Sequence, residues 1–132
     1  MIFVDTSFWV ALRNRRDGHH DDALALFAQH SDAGMVTTNH VRGETWTYLR
    51  RRAGHRSAVG FLDAMDGSQR VTVERVDAAT EDEALAWLRR HDEREFSFVD
   101  ATSFATMRRR RIRAALAFDG DFSAAGFTEL RP

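Results

Sequence analysis

The chain has 132 residues and a formal net charge of -1, with 43% hydrophobic and 30% charged residues. This length and balance predict one soluble globular domain over residues 1–132, and they exclude a disordered chain or a general electrostatic attraction to nucleic acid or membranes. The chain contains no cysteine and no lysine, which excludes disulfides, thiolate metal sites and catalysis by a P-loop or Schiff-base lysine.

The N-terminal part of the chain alternates short apolar runs with helical patterns. Residues 2–5 form an apolar run ended by a polar residue, which is typical of a short buried strand. Thr6 or Ser7 is expected to cap the helix that follows. Residues 21–27 predict a second helix with acidic residues at its start, and residues 35–37 predict a second strand. Because no signal peptide or membrane-length apolar run is evident, we expect a cytoplasmic protein.

Two helices and a strand are predicted in the middle of the chain. Asn39 is expected to cap a long helix, whose basic end at residues 50–52 suits the negative pole of the helix dipole. Gly54 separates this helix from the next one, and Gly67 ends that second helix. The alternation of valine with polar residues over 71–76 predicts a strand.

Two further helices and two strands complete the pattern. Thr80 opens a sequence typical of a capping box, and Ser97 or Ser103 is expected to cap the helix after that one. Strands are predicted over residues 114–118 and, at an edge of the sheet, over residues 127–130. Short strands that alternate with helices predict an α/β domain with a mainly parallel sheet.

Five acidic residues are expected to meet at one edge of that sheet. Asp5 and Asp119 directly follow predicted strands, and Asp121 lies two residues further on. Glu44 and Asp100 lie near predicted helix starts, where backbone N–H groups favour negative charge. Sites in parallel sheets form beyond the carboxyl ends of the strands. Neighbouring carboxylates repel, so a proton or a cation must lie between them, and oxygen ligands favour Mg²⁺ or Mn²⁺ over zinc.

Four parts of the chain resemble PIN-domain nucleases, specifically the bacterial VapC type of toxin–antitoxin ribonuclease. They are residues 2–12, Glu44, residues 98–101 and residues 117–122. The resemblance covers nearly the whole chain and depends on the order and spacing of these segments. It implies a PIN-like three-layer α/β/α sandwich and a metal-dependent endoribonuclease that leaves a 5′-phosphate and a 3′-hydroxyl.

The resemblance also implies roles for the acids, which would surround one or two Mg²⁺ or Mn²⁺ ions. We hypothesise that Asp5 bridges or anchors the metal with Asp100 as its partner, and that Glu44 orients the attacking water, either directly or as a metal ligand. Asp119 and Asp121 would complete the outer shell or a second metal site. The hydroxyl of Thr6 or Ser7 would orient the first aspartate.

Substrate and partners follow from the resemblance and from the arginines. Arg108, Arg109 and Arg110 are expected to contact RNA phosphates, with a solvated helix end as the alternative. The implied partners are an RNA, with transfer RNA as one candidate, a VapB-type antitoxin and a second copy of the chain, with no membrane. Trp46 and Tyr48 are candidates for a groove that receives an apolar helix of the antitoxin. Residues 50–52 are candidates for contact with RNA or with the antitoxin, and complementarity to the helix dipole alone is the third alternative.

Three other functions remain open at this point. A phosphoacceptor domain with Asp5 as nucleophile is disfavoured because no lysine and no second aspartate two residues later are present. A non-catalytic PIN-fold interaction module is disfavoured by the full acidic set. A DNA-directed nuclease stays open, because neither the acids nor the arginines distinguish DNA from RNA.

Overall fold

Five parallel strands form the centre of the protein in the computed structural model, which describes all 132 residues. They are β1 (Ile2–Val4), β2 (Met35–Thr38), β3 (Val71–Glu74), β4 (Ala114–Leu116) and β5 (Thr128–Glu129). Their order is β3-β2-β1-β4-β5, and every neighbouring pair is parallel. The predicted α/β class is confirmed, and the mainly parallel sheet proves to be entirely parallel.

Seven helices cover the two faces of this sheet. They are α1 (Thr6–Arg13), α2 (His20–His30), α3 (Asn39–Ala53), α4 (His55–Gly67), α5 (Ala78–Arg90), α6 (Phe98–Arg110) and α7 (Asp121–Ala124). Because crossovers between parallel strands are right-handed, α1 to α4 cover one face, and α5 and α6 cover the other. The contacts agree, since α3 packs on α1 and α4 while α5 packs on α6. The predicted α/β/α sandwich is therefore confirmed.

The strands in the middle of the sheet are buried on both faces, which explains their continuous apolar character. Phe3, Val4, Val36 and Leu116 are all fully buried. Phe104 of α6 packs edge-to-face on Phe122 with ring centroids 4.9 Å apart, a geometry that aromatic pairs favour. This core fixes the strand ends from which the acidic residues project.

Three helix caps differ from the predicted ones. Asp5 caps α1 in place of Thr6 or Ser7, Thr38 caps α3 in place of Asn39, and Asp77 caps α5 in place of Thr80. In each case a side-chain oxygen just before the helix accepts a backbone N–H of the first turn. Ser97 caps α6, as predicted. Residue propensity therefore located each helix start to within a few residues, and the backbone geometry at that start determined which side chain caps the helix.

The C-terminal segment departs most from the predicted pattern. β4 ends at Leu116 rather than at residue 118, and β5 has two residues. A short helix, α7, follows Gly120 between these two strands. Gly120 has φ 83°, a left-handed conformation that glycine adopts without the steric cost of a Cβ. No helix of the protein combines the length and the apolar content needed to cross a bilayer.

Candidate active site and metal centre

A cavity of about 450 Å³ opens at the carboxyl ends of β1 and β4. In the strand order, β1 and β4 are the neighbours at which successive crossovers turn to opposite faces, which is where α/β sheets bind ligands. All five acidic residues selected from the sequence line this cavity: Asp5, Glu44, Asp100, Asp119 and Asp121. Thr6 and Ser7 also line it. The fold thus brings together acids that are far apart in the sequence.

Asp5 is held at the floor of the cavity by the start of α1. Its Oδ2 accepts hydrogen bonds from the Ser7 hydroxyl at 2.8 Å and from the Ser7 backbone N–H at 3.2 Å. The Ser7 hydroxyl oxygen also accepts the backbone N–H of Phe118 at 3.0 Å, which ties the end of β4 to the start of α1. Thr6 Oγ1 is buried without a hydrogen-bond partner. Of the two predicted hydroxyl residues, Ser7 is therefore the one that orients Asp5.

Asp100, Asp119 and Asp121 form the tightest acidic group. One carboxylate oxygen of each lies within 4.8 Å of those of the other two. Asp100 takes part in a capping box, in which its Oδ2 accepts the Ser97 N–H at 2.9 Å and Ser97 Oγ accepts the Asp100 N–H at 2.9 Å. Asp119 Oδ1 accepts the backbone N–H of Asp121 at 3.1 Å. Three carboxylates held at this separation can coordinate one cation.

Burial and mutual repulsion make these acids hard to ionise together. Burial, and then the charge of Asp119, raises the pKa of Asp5 to about 8 against the opposing hydrogen bonds from Ser7. Burial raises the pKa of Asp100 to about 7, opposed by the Ser97 N–H and aided by Asp121 and Asp119. Burial also raises the pKa of Asp119. At neutral pH the site therefore gains from a cation that stabilises the ionised forms.

One arginine of the chain already contacts the acidic group. Arg94, in the loop between α5 and α6, lies with Nη2 2.9 Å and Nε 3.0 Å from Asp121 Oδ1. Nothing in the sequence distinguished this residue from the other arginines. Arg94 Nη2 also donates to the backbone carbonyl of Asp119 at 3.4 Å, but the carboxylates of Asp100 and Asp119 form no salt bridge, so an excess of negative charge remains.

Glu129 fixes the loop that carries two of the acids, residues 119–121. Its side chain is 2% exposed, and its carboxylate accepts the backbone N–H of Gly120 at 3.3 Å and of Ser123 at 2.9 Å. Arg131 Nη2 donates to the same group at 2.9 Å. No sequence pattern indicated this role, because Glu129 belongs to a predicted edge strand, where a charged side chain is ordinary.

The rim of the cavity carries aromatic residues, of which only Tyr48 was selected from the sequence, as a candidate for the antitoxin groove. His19 stacks on Phe118 with ring centroids 4.5 Å apart and planes 3° apart. On α3, the guanidinium carbon of Arg52 lies 4.8 Å from the centroid of the Tyr48 ring. All four line the cavity. Trp46 instead packs partly buried against the core, with its ring 5.8 Å from His55.

The basic run at residues 108–110 lies elsewhere. These residues end α6, while Asp100 is in its first turn, so they lie about 12 to 15 Å from Asp100 along the helix axis. Arg109 Nε is 2.9 Å from Glu83 Oε2, and Arg110 Nη1 is 3.3 Å from Glu74 Oε2. Arg108 Nε is 3.5 Å from the other oxygen of Glu83. The fold brings none of the three to the cavity.

The donor atoms of the acidic group fit a hard divalent cation. Asp100, Asp119 and Asp121 offer only carboxylate oxygens, the ligands that Mg²⁺ and Mn²⁺ prefer, whereas zinc sites usually include histidine or cysteine. Burial raises the pKa of Asp100 and of Asp119, which indicates that these two carboxylates lack a stabilising charge in the protein alone. A metal ion there would supply it.

Comparison with known proteins gives a consistent result. The PIN domain family matches residues 2–128. The chain is 60% identical over 132 residues to the 23S rRNA-specific endonuclease VapC20 of Mycobacterium tuberculosis, from strains CDC 1551 and H37Rv, with 100% of this chain and 99% of each relative covered. The crystal structure of VapC20 from the same species, a sarcin-ricin loop cleaving toxin, has a TM-score of 0.95 at 57% identity and 100% coverage of both chains.

Proposed function

This chain belongs to the PIN domain family, and from that premise we propose that it is a Mg²⁺- or Mn²⁺-dependent endoribonuclease toxin. The convergence of Asp100, Asp119 and Asp121 within 4.8 Å, inside a cavity at the carboxyl edge of a parallel sheet, carries the proposal. A cluster of acids with raised pKa values in a cleft is typical of a functional site.

Asp100, Asp119 and Asp121 would hold the ion, with Asp5 beside them in the same cavity. A divalent cation bound there supplies two effects, acidification of a coordinated water and neutralisation of charge on the scissile phosphate. Ser7 fixes the orientation of Asp5 through two hydrogen bonds. Ser97 does the same for Asp100 through the capping box. Such fixed ligand orientation is typical of metal sites.

Glu44 would act on the attacking water. It projects from α3 into the cavity, is partly exposed, and forms no salt bridge. A carboxylate without a cationic partner is free to orient a water molecule or to accept its proton. Asp5 and Asp100 would take part as ionised groups, so their side chains must be deprotonated when the ion binds.

The substrate class follows from the relatives. VapC20 is named as specific for 23S rRNA, and the solved structure is described as cleaving the sarcin-ricin loop. Identity of 60% over the whole chain supports the same substrate class here. We therefore propose a loop of large-subunit ribosomal RNA as the target, ahead of transfer RNA or DNA.

The VapC relationship also implies partners. We propose that a VapB-type antitoxin inhibits the nuclease, that the toxin acts in the cytoplasm, and that it forms a homodimer. Copurification of the toxin with the product of a neighbouring antitoxin gene, followed by light scattering with and without it, tests the partner and the dimer together.

The proposed activity is tested with purified ribosomes. We expect one new 5′ end in 23S rRNA after incubation with the protein and Mg²⁺, mapped by primer extension, and no cleavage after treatment with a chelator. Added Mn²⁺ should restore cleavage in the chelated sample. Cleavage that persists fully in the chelator would contradict the metal-dependent activity.

A further inference from the structure

The cavity is strongly negative, although the proposed substrate is also negative. Seven acidic residues line it: Asp5, Asp17, Glu44, Glu95, Asp100, Asp119 and Asp121. Arg52 is the one arginine among the lining residues. A bound cation can neutralise only part of this charge, so an RNA strand that enters needs a further positive contact.

Arg52 lies at a position from which it can make that contact. Glu44, Tyr48 and Arg52 follow one another at four-residue intervals on α3, so they share one face of the helix. All three line the cavity. Because four residues rise about 6 Å, Tyr48 and then Arg52 extend the row that begins at the catalytic Glu44. The row therefore leads outward from the site of cleavage.

The charge of Arg52 is not used elsewhere in the protein. The arginines of α6 and Arg94 are each held by a carboxylate. Arg52 forms no salt bridge, and its guanidinium carbon lies 4.8 Å from the centroid of the Tyr48 ring. Arg51, its neighbour, is exposed and does not line the cavity. Complementarity to the helix dipole would apply to both arginines equally, so it does not explain the position of Arg52.

Tyr48 is one of the few large hydrophobic side chains that the fold leaves exposed, at 39%. An exposed aromatic ring beside a nuclease site is suited to stack on an unpaired base, which is how proteins bind the bases of RNA loops. The guanidinium that lies beside this ring can bind a phosphate next to the stacked base.

We propose that Tyr48 and Arg52 position the RNA: the Tyr48 ring stacks on an unpaired base beside the cleaved bond, and Arg52 binds a neighbouring phosphate. This inference depends on the proposed nuclease function. It extends that function by assigning the substrate contact to α3, on residues whose loss should affect RNA binding and leave metal binding intact.

The test compares four variants of the full-length protein: Arg52→Ala, Arg51→Ala, Tyr48→Ala and Tyr48→Phe. With a loop RNA as substrate, we expect Arg52→Ala and Tyr48→Ala each to raise KM about tenfold, with a smaller effect on kcat. Arg52→Ala should also reduce the slope of log affinity against log salt by about 0.7, the value for one phosphate contact on a single strand. Arg51→Ala, the matched control, should behave as the unchanged protein. Tyr48→Phe should recover most of the binding that Tyr48→Ala loses.

Calorimetric titration with Mn²⁺ separates this inference from the nuclease proposal. Equal Mn²⁺ affinity in all four variants is expected. Equal effects of Arg52→Ala and Arg51→Ala on KM and salt slope would overturn the inference, as would an unchanged KM in Tyr48→Ala with a weakened antitoxin complex. If the unchanged protein binds RNA through Arg52 but neither binds Mn²⁺ nor cleaves, the nuclease proposal fails while the RNA contact stands.

Discussion

Helix α6 carries opposite charges at its two ends, and the two ends differ in how those charges are met. At its start, Asp100 faces Asp119 and Asp121 within 4.8 Å. At its end, Arg109 and Arg110 each lie within 3.5 Å of a glutamate oxygen. Both arrangements suit the helix dipole. Only the acidic end retains charge that the rest of the protein leaves unbalanced.

This contrast shows that crowding of like charges in the sequence is a weak guide to a binding site. The basic run is contiguous in the sequence, but neighbouring helices and strands supply its counter-charges. The acids are scattered in the sequence, but parallel strand ends and helix starts gather them at one edge. Unbalanced charge in a cleft, rather than local density along the chain, is what needs an external ligand.

Removal of one carboxylate from the acidic end should have the largest effect. We expect Asp100→Asn to lower the rate of RNA cleavage by at least about a hundredfold, because even residues that only support metal ligands contribute 10–100-fold. Asp82→Asn, on the exposed side of α5, is the matched control and should cleave at the unchanged rate. A single-turnover assay measures the rate of cleavage, and calorimetry with Mn²⁺ measures metal affinity. Full activity in Asp100→Asn would remove Asp100 from the site.

Loosening the 119–121 loop, which carries two of the acids, should have the next largest effect. Glu129→Gln keeps the volume of the side chain but weakens its bonds to the Gly120 and Ser123 N–H groups and to Arg131. We expect Mn²⁺ affinity to fall about tenfold, in the range typical of residues that orient metal ligands. Because Glu129 does not line the cavity, a variant that binds Mn²⁺ with unchanged affinity would show that the loop keeps its position without it.

The acidic end should also make stability depend on pH in an unusual direction. Asp5 has a pKa of about 8 in the folded protein and about 3.9 when unfolded, so the folded state holds a proton that the unfolded state releases. Its contribution is complete below about pH 4 and is lost as pH rises towards 8. In a chelator, we expect Tm to fall between pH 5 and pH 8, and to fall less in Asp5→Asn.

A bound metal ion should oppose this fall of Tm with rising pH, because the carboxylate ligands must lose their protons to bind the ion. We expect Mg²⁺ or Mn²⁺ to raise Tm more at pH 8 than at pH 6. Scanning fluorimetry at a series of pH values, with chelator and with each metal, measures both effects. A metal-free Tm that rises over the same interval, with the same slope in Asp5→Asn, would contradict the raised pKa of Asp5.

Much of the site could be predicted because its residues have local signatures. Asp5 follows an apolar strand, and Asp100 lies in the first turn of a helix capped by Ser97. The meeting of these acids then follows from one rule, that the carboxyl ends of parallel strands lie at the same edge of the sheet. Such positions are visible in the sequence because each depends on its immediate neighbours.

The residues that escaped prediction depend on distant parts of the chain. Glu129 serves as an acceptor only because β5 lies beside the 119–121 loop, and Arg94 contacts Asp121 across 27 positions of the sequence. Tyr48 and residues 50–52 were candidates for partner contacts, but only the placement of α3 beside the acids shows that Tyr48 and Arg52 line the cavity together with Glu44. Local patterns do not encode these contacts.

The basic end of α6 should give the smallest effects. The sequence predicts that Arg108, Arg109 and Arg110 contact RNA, and this stays a prediction. Because Arg109 is exposed and already paired with Glu83, we expect Arg109→Ala to shift Tm by no more than about 2 °C and to raise the KM for RNA less than Arg52→Ala does. Glu83→Gln sharpens the test, since it frees Arg108 and Arg109 together. If the run binds RNA, this variant should bind RNA more tightly and with a steeper salt dependence, whereas an unchanged salt dependence would leave the run as a paired helix end.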